Sequence, residues 1–150
     1  MARAIELATE NVRAGRGGPF ATVIVKDGKI VAEGTNQVTS IGDPTAHAEI
    51  VAIRKACDAL KDFQLHDCEI YTSCEPCPMC LGAIYWARPA RVFFANTASD
   101  AAQAGFDDSL IYEQMQLPFA ERRIPMIPMM REEARAALRA WEEKPDKTPY

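Results

Sequence analysis

Hydrophobic and polar positions follow two different periods in the first third of the chain. Ile5, Ala8 and Val12 recur at helical spacing, which predicts an opening amphipathic helix that ends near GRGG at 15–18. The next stretch, PFATVIVKDGKIVAEG, contains two β-branched runs on either side of Asp27 and Gly28. Because both turn residues tolerate positive φ, this pattern predicts a β-hairpin.

Helical and strand-like segments then alternate. Asp43 followed by Pro44 is typical of a helix N-cap and first turn, and an apolar stripe follows at Ile50, Ile53, Cys57 and Leu60. CEIYTS (68–73) and ARVFFAN (90–96) are predicted strands, and PCPMCLGAIYWAR (76–88) between them is a predicted helix. This alternation indicates crossover connections and parallel neighbouring strands.

The last third is less regular. Residues 96–117 have the pattern of loops with short helices, and RIPMIPMM (123–130) contains two prolines that restrict it to an edge strand or an extended segment. REEARAALRAW (131–141) predicts a closing helix, followed by a polar tail. We find no internal repeat and no linker, so residues 1–150 are predicted to form a single domain.

Composition restricts the classes of function. The chain has 150 residues, of which 48% are hydrophobic, and this suits one domain with a real core. A net charge of -4 and a pI near 5.2 argue against binding nucleic acid or anionic membranes mainly through electrostatics. A small-molecule substrate is therefore favoured.

The cysteines indicate metal chemistry in a reducing compartment. There are five, an odd number, and three of them lie between Cys74 and Cys80, which is not the spacing of a disulfide scaffold. The first residues carry charges where a signal peptide needs an apolar run, and no stretch reaches transmembrane length. We therefore expect a soluble, cytoplasmic protein with no membrane partner.

One histidine and two cysteines have the spacing of a catalytic zinc site. Cys77 and Cys80 lie three residues apart at a predicted helix start, so their sulfurs share one face, and the helix N-terminus favours thiolates. His47 supplies a third ligand, which leaves a fourth position open for water. Glu49, two residues after His47, is the candidate proton acceptor, provided that the metal lies close to the helix end.

Other interpretations of these cysteines remain open at this stage. Cys77 and Cys80 alone would also fit a structural zinc site or a redox pair. With Cys74 they form C-x-x-C-x-x-C, the start of an iron–sulfur ligand run, but the further cysteine that such a run requires is absent at 81–84. We predict that Cys74 ends its strand near the pocket and does not bind the metal.

HAE (47–49) with PCPMC (76–80) resembles the H-x-E…P-C-x-x-C signature of the zinc-dependent cytidine and nucleobase deaminase superfamily. This resemblance implies a three-layer αβα fold of the cytidine-deaminase type, with a mixed five-stranded sheet and helices on both faces. It also implies one zinc ion per subunit, bound by His47, Cys77 and Cys80. By the same resemblance, Glu49 would take a proton from the zinc water, deliver it to a ring nitrogen, and in a separate step protonate the departing amine.

More segments resemble the bacterial guanine deaminases in particular: GGPF, GTNQVT, DPTAHAE, TSCEPCPMCLGAIYWAR, AGFDDS and the terminal tyrosine. The resemblance implies hydrolysis of guanine to xanthine and ammonia. The residues that it implies around the purine base are Asn36, Phe20, Ala48, Trp86, Phe106, Asp108 and Tyr150.

Simpler roles exist for several of these residues. Asn36 could be an ordinary turn residue, and Asp107 or Asp108 could cap a short helix that begins at Ser109. The physical argument for Asp108 is that guanine presents N–H donors, for which a carboxylate is a strong acceptor, while the adjacent acids would repel a nucleotide phosphate. Phe20 and Phe106 lie in predicted loops, where binding residues are common.

The resemblance further implies a homodimer that exchanges the C-terminal segment, about 120–150, so that Tyr150 reaches the partner's site. Two classes of alternative function remain. A deaminase of the same fold could act on tRNA adenosine, cytosine or a nucleoside such as guanosine, and a zinc-stabilised binding module would be non-enzymatic. A tRNA enzyme needs a basic track, but residues 131–150 contain five Lys/Arg and five Asp/Glu, so nucleic acid is not the expected partner.

Overall fold

The computed structural model describes residues 1–149. The four strands are β1 (Ala21–Lys26), β2 (Lys29–Thr35), β3 (Cys68–Cys74) and β4 (Arg91–Asn96). The helices are α1 (Ala2–Arg13), α2 (Val38–Ile41), α3 (Ala48–Leu60), α4 (Pro78–Ala87), α5 (Ala98–Gln103), α6 (Ser109–Gln116) and α7 (Arg131–Glu143), with a 3₁₀ turn at Phe119–Glu121.

The strands form one mixed sheet in the order β2-β1-β3-β4. β1 pairs antiparallel with β2 and β3, while β3 and β4 are parallel and joined through α4. The predicted hairpin, crossover and mixed sheet are thus confirmed. The five-stranded sheet that the resemblance implies is wrong, since the sheet in residues 1–149 has four strands. Residues 125–130 form no strand, which leaves the extended-segment alternative predicted for 123–130.

Helices cover both faces of the sheet, which confirms the predicted three layers. Successive residues of a strand point to opposite faces, so Val23 and Ile24 belong to different cores. Val23 packs with Leu7 and Ala8 of α1. Ile24 belongs to a cluster on the opposite face that includes residues of α3 and α4. The site described below lies where these last two helices begin.

Gly34 allows α3 to approach β2 unusually closely. A Cβ atom at this position would lie 2.3 Å from the carbonyl oxygen of Ala48 and 2.6 Å from the amide nitrogen of Ala52. Both are backbone atoms of α3, so a side chain at Gly34 could be accommodated only by moving the helix. The glycine therefore fixes the first turn of α3 against the sheet.

The predicted start of α3 at Asp43 and Pro44 is wrong. Asp43 instead forms a turn, in which its Oδ1 accepts hydrogen bonds from the backbone amide (2.8 Å) and the hydroxyl (2.7 Å) of Thr45. Asp followed by Pro is common in both turns and helix starts, and the nearby Thr45 favours the turn. The helix begins four residues later, which makes His47 its N-cap.

Contacts group the chain into Met1–Ser109 and the residues from Leu110 onward. Within the second group, the guanidinium of Arg122 lies 4.6 Å from the ring centre of Phe119 and donates to the carbonyl of Leu117 at 3.1 Å. Leu138 and Trp141 of the amphipathic helix α7 are exposed.

Among the helices in residues 1–149, none combines the length and apolar character needed to cross a membrane.

Candidate active site

The predicted metal ligands lie at two adjacent helix starts. His47 is the N-cap of α3 and Cys77 is the N-cap of α4, and both have an extended backbone. Cys80 is three residues into α4, where it is completely buried. Free backbone amides and the helix dipole at both N-termini favour negatively charged ligands at this point.

The three side chains converge with the geometry of a zinc site. Nδ1 of His47 is 3.6 Å from Sγ of Cys77, and the candidate ligand atoms of His47, Cys77 and Cys80 all lie within 4.8 Å of one another. Zn–N and Zn–S bonds of normal length at a tetrahedral angle give roughly 3.6 Å between such nitrogen and sulfur atoms. The arrangement therefore fits zinc, with Nδ1 as the histidine ligand atom.

The electrostatics of the site favour a thiolate at Cys77. Its pKa is lowered to about 4, mainly because the Cys80 thiol hydrogen-bonds to it, with His47 contributing further. The hydrogen bond between Cys77 and His47 in turn raises the pKa of His47. The lowered pKa therefore favours the thiolate of Cys77, which is the form that binds metal.

Glu49 places a carboxyl group beside the candidate ligands. It is the second residue of α3, only 6% of it is exposed, and its Oε2 accepts a hydrogen bond from Sγ of Cys80 at 3.4 Å. Burial is the main cause of a raised pKa for this carboxyl. Because His47 caps the helix instead of lying within it, a glutamate two residues later can share the site.

Cys74 occupies a different position. It is the last residue of β3, and its thiol donates to the carbonyl of Thr97 at 3.6 Å. Burial raises its pKa to about 11, which disfavours the thiolate. In the part of the chain described, the group that could hold a metal contains the other two cysteines of the run together with His47, but not Cys74.

Two of the predicted wall residues contact each other. The rings of Phe20 and Phe106 are 4.9 Å apart and nearly perpendicular, at 86°. Gly18 lies against this pair, since a Cβ there would be 3.3 Å from Phe20 and 3.5 Å from Phe106. Phe106 remains 46% exposed, so an apolar surface is available to a flat ligand.

The Asn36 side chain is oriented by its neighbours. Its Oδ1 accepts from the backbone amides of Gly18 at 3.4 Å and Val38 at 3.3 Å. No residue among 1–149 accepts from its Nδ2, which is therefore available to a ligand as a donor. Asn36 is a turn residue and also a potential ligand donor, so the two sequence-based interpretations are compatible. The Ala48 amide lies in the first turn of α3, where it has no intrahelical acceptor.

The two adjacent aspartates have different environments. Asp107 accepts from the backbone amide of Ser109 at 2.9 Å, as expected of a residue that caps α6. Asp108 is half-buried, and burial, followed by the negative charge of Cys77, raises its pKa. Asp108 is thus the aspartate that lies under the electrostatic influence of the candidate site.

The two remaining predicted base-binding residues are Trp86 and Tyr150. Trp86 lies near the end of α4 and is 63% exposed. Tyr150 lies outside the described residues.

Asn11, a buried residue of α1, was not among the predicted site residues. Its side-chain amide donates to Gly18 O at 3.0 Å and to Asn36 O at 2.9 Å. The available signal was a polar residue on the apolar face formed by Leu7 and Ala8.

Comparison with known proteins shows to which family the chain belongs. Residues 1–96 match the cytidine and deoxycytidylate deaminase zinc-binding region. The guanine deaminase of Bacillus subtilis (strain 168) is 58% identical over 148 residues, which cover 99% of this chain and 95% of that protein. The X-ray structure of the guanine deaminase from B. subtilis superposes with a TM-score of 0.97 at the same identity and coverage.

Two other relatives cover less of the chain. A mutant of the protein NE0047, crystallised with 8-azaguanine, has a TM-score of 0.68 and 35% identity over 71% of this chain and 62% of its own. The tRNA-specific adenosine deaminase of Aquifex aeolicus (strain VF5) is 43% identical over 77 residues, about half of each chain. With its histidine, two cysteines and buried glutamate at two helix starts, this chain belongs to the zinc-dependent cytidine and deoxycytidylate deaminase family.

Proposed function

We propose that this protein hydrolyses guanine to xanthine and ammonia, with one zinc ion per subunit. The observation that carries the chemistry is the buried Glu49 carboxyl next to the His47, Cys77 and Cys80 group. The substrate is suggested by the guanine deaminase that is 58% identical over nearly the whole chain, with 8-azaguanine bound to a second relative as further support.

In this proposal His47, Cys77 and Cys80 hold the zinc ion and leave one coordination position open. Zinc, when bound, supplies a water molecule that is activated for attack on the carbon bearing the amino group. Two thiolates cancel the formal charge of the ion, so a proton acceptor is needed nearby. Glu49 would take up that proton and give it to a ring nitrogen. It would then take the second proton from the added hydroxyl group and pass it to the departing amine, which leaves as ammonia.

The surrounding side chains suit a purine base. Asn36 has a free Nδ2 donor for a ring acceptor, and the Ala48 amide is a second donor at the start of α3. Asp108 can accept from the N–H groups that distinguish guanine from adenine. Phe20 and Phe106 form the apolar wall, and Trp86 is proposed to complete it.

An ammonia-release assay on guanine, guanosine, adenine, cytosine, cytidine and a tRNA anticodon stem-loop tests the substrate, with zinc measured on the same sample. We expect turnover of guanine far above that of the other compounds. Preferred release from the stem-loop would instead support a tRNA deaminase. No release from any compound, with zinc present, would support the binding module.

We also propose that residues 1–150 act as one deaminase domain in a homodimer that exchanges the segment from about 120 onward. Exposed apolar residues support an additional covering surface: Phe93 and Phe94 on the edge strand β4, and Leu138 and Trp141 on α7. A chain that crosses to its partner would also cover Trp86 and bring Tyr150 to the partner's site.

The dimer is tested by light scattering, with an expected mass of twice 16.6 kDa, and by deleting residues 147–150, which should raise KM for guanine or abolish turnover. Dimers that contain two different chains show whether residues 147–150 complete the active site of their own subunit or that of the partner subunit. A full-length Glu49→Gln chain paired with a truncated chain should regain activity, because its tail completes the intact partner site. Mixed dimers that stay inactive, or unchanged kinetics after truncation, would contradict the exchange.

We further propose a cytoplasmic location. None of the five cysteines forms a disulfide within the described residues, as expected in a reducing compartment.

A further inference from the structure

Asn11 is an uncommon residue for its position. It lies on the face of α1 that packs against the sheet, and its side chain is completely buried. Its Nδ2 donates two hydrogen bonds, but no group among residues 1–149 donates to its Oδ1. A buried amide with an unpaired oxygen costs stability, whereas leucine would suit this face. Contribution to the core therefore does not explain the asparagine.

The two carbonyls that Asn11 binds belong to the proposed base pocket. Gly18 O precedes the wall residue Phe20 by two positions, and Asn36 O belongs to the residue whose Nδ2 is available to the base. Gly18 also donates its amide to the Asn36 side chain. Asn11, Gly18 and Asn36 thus form a closed ring of hydrogen bonds. In this ring the side-chain amide of Asn11 connects the loop before the wall residue Phe20 to Asn36, the proposed donor to the base.

The backbone around this ring is tightly packed. A Cβ atom at Gly17 would lie 2.2 Å from Asn36 O and 3.2 Å from Nδ2 of Asn11. The loop can therefore approach Asn36 this closely only with glycine at position 17. Such packing turns a small displacement of the loop into a displacement of both Phe20 and Asn36.

We propose that Asn11 is a positioning residue for substrate recognition. It acts through Asn36 and the loop of Gly17 to Phe20, and it has no contact with the metal ligands. This inference rests on the proposed function, because it assumes that Asn36 donates to a purine base. A residue of this kind should affect the binding of the base more than the chemical step, which depends on Glu49.

A double-mutant cycle on the full-length zinc protein tests this proposal. We expect Asn11→Leu to raise KM for guanine by about 10-fold or more, because misplaced binding groups are costly even when they lie far from the chemistry. kcat should change much less, and the zinc content should not change. In an Asn36→Ala background, Asn11→Leu should raise KM by less than it does in the wild type, because one of the two groups that it positions is already gone.

Two further variants make the experiment decisive. Glu10→Leu, at an exposed neighbouring position of α1, is the matched control and should leave KM unchanged. Gly17→Ala disturbs the same ring from the opposite side and should reproduce the rise in KM if Asn11→Leu fails to fold. Independent effects of Asn11 and Asn36, or an unchanged KM in both Asn11→Leu and Gly17→Ala, would overturn the inference. Absence of guanine turnover in the wild-type protein would instead overturn the proposed function.

Discussion

Replacing Glu49 with glutamine is expected to abolish deamination while the protein keeps its zinc. Glutamine preserves the size and shape of the side chain but cannot accept and deliver a proton. General acid–base catalysis typically contributes about 10²- to 10⁴-fold to the rate, so kcat should fall by that range. Because Glu49 is not one of the proposed ligands, elemental analysis should still find one zinc ion per chain.

This variant separates an enzyme from a zinc-stabilised binding module. A binding module has no use for a buried carboxyl beside its metal, and burial raises the pKa of this group at a cost in stability. Glu10→Gln, at an exposed position on α1, is the control and should retain full activity. Retained activity in Glu49→Gln, or loss of its zinc, would contradict the proposed role.

The local sequence pattern predicted most elements of this fold because their signals are local. Asp27 and Gly28 form the hairpin turn, both with positive φ. The apolar runs of β1, β3 and β4 predicted strands, and Pro78 at the first position of α4 marked a helix start. Each of these signals depends on a few neighbouring residues, so a single sequence is enough to detect it.

The errors occurred where a local pattern fits two structures. Asp43 and Pro44 can begin a helix or a turn, and the hydrogen bonds from Thr45 select the turn. At 123–130 the sequence left an edge strand and an extended segment open, and residues 125–130 form neither strand nor helix. Neither choice can be read from the order of residues, because it depends on competing hydrogen bonds in three dimensions.

The site was predictable in its ligands but not in its supporting residues. The spacing of His47, Glu49, Cys77 and Cys80 is set by chemistry and appears directly in the sequence. Gly34 acts through its close approach to backbone atoms of α3 that are 14 or more residues away in the sequence. Asn11 acts through hydrogen bonds to loops. Such roles leave only a weak trace in sequence, a glycine in a strand or a polar residue on an apolar helix face.

Replacing Cys77 with serine should remove zinc and activity together, whereas Cys74→Ser should retain both. The two cysteines are three residues apart, so the pair is a matched comparison of the same atomic substitution. Cys77 faces His47 Nδ1 at 3.6 Å and has a pKa lowered to about 4. Serine at this position offers a neutral hydroxyl, a far poorer zinc ligand than a thiolate.

Cys74 has the opposite environment: its thiol donates to the carbonyl of Thr97, and its pKa is raised to about 11. Serine can donate to the same carbonyl, so the strand end should stay intact. We expect one zinc ion per chain in Cys74→Ser and close to none in Cys77→Ser, measured by elemental analysis after dialysis against a weak chelator. Loss of zinc from Cys74→Ser would mean that a third sulfur closes the metal site, and a closed site has no open position for the water that hydrolysis requires.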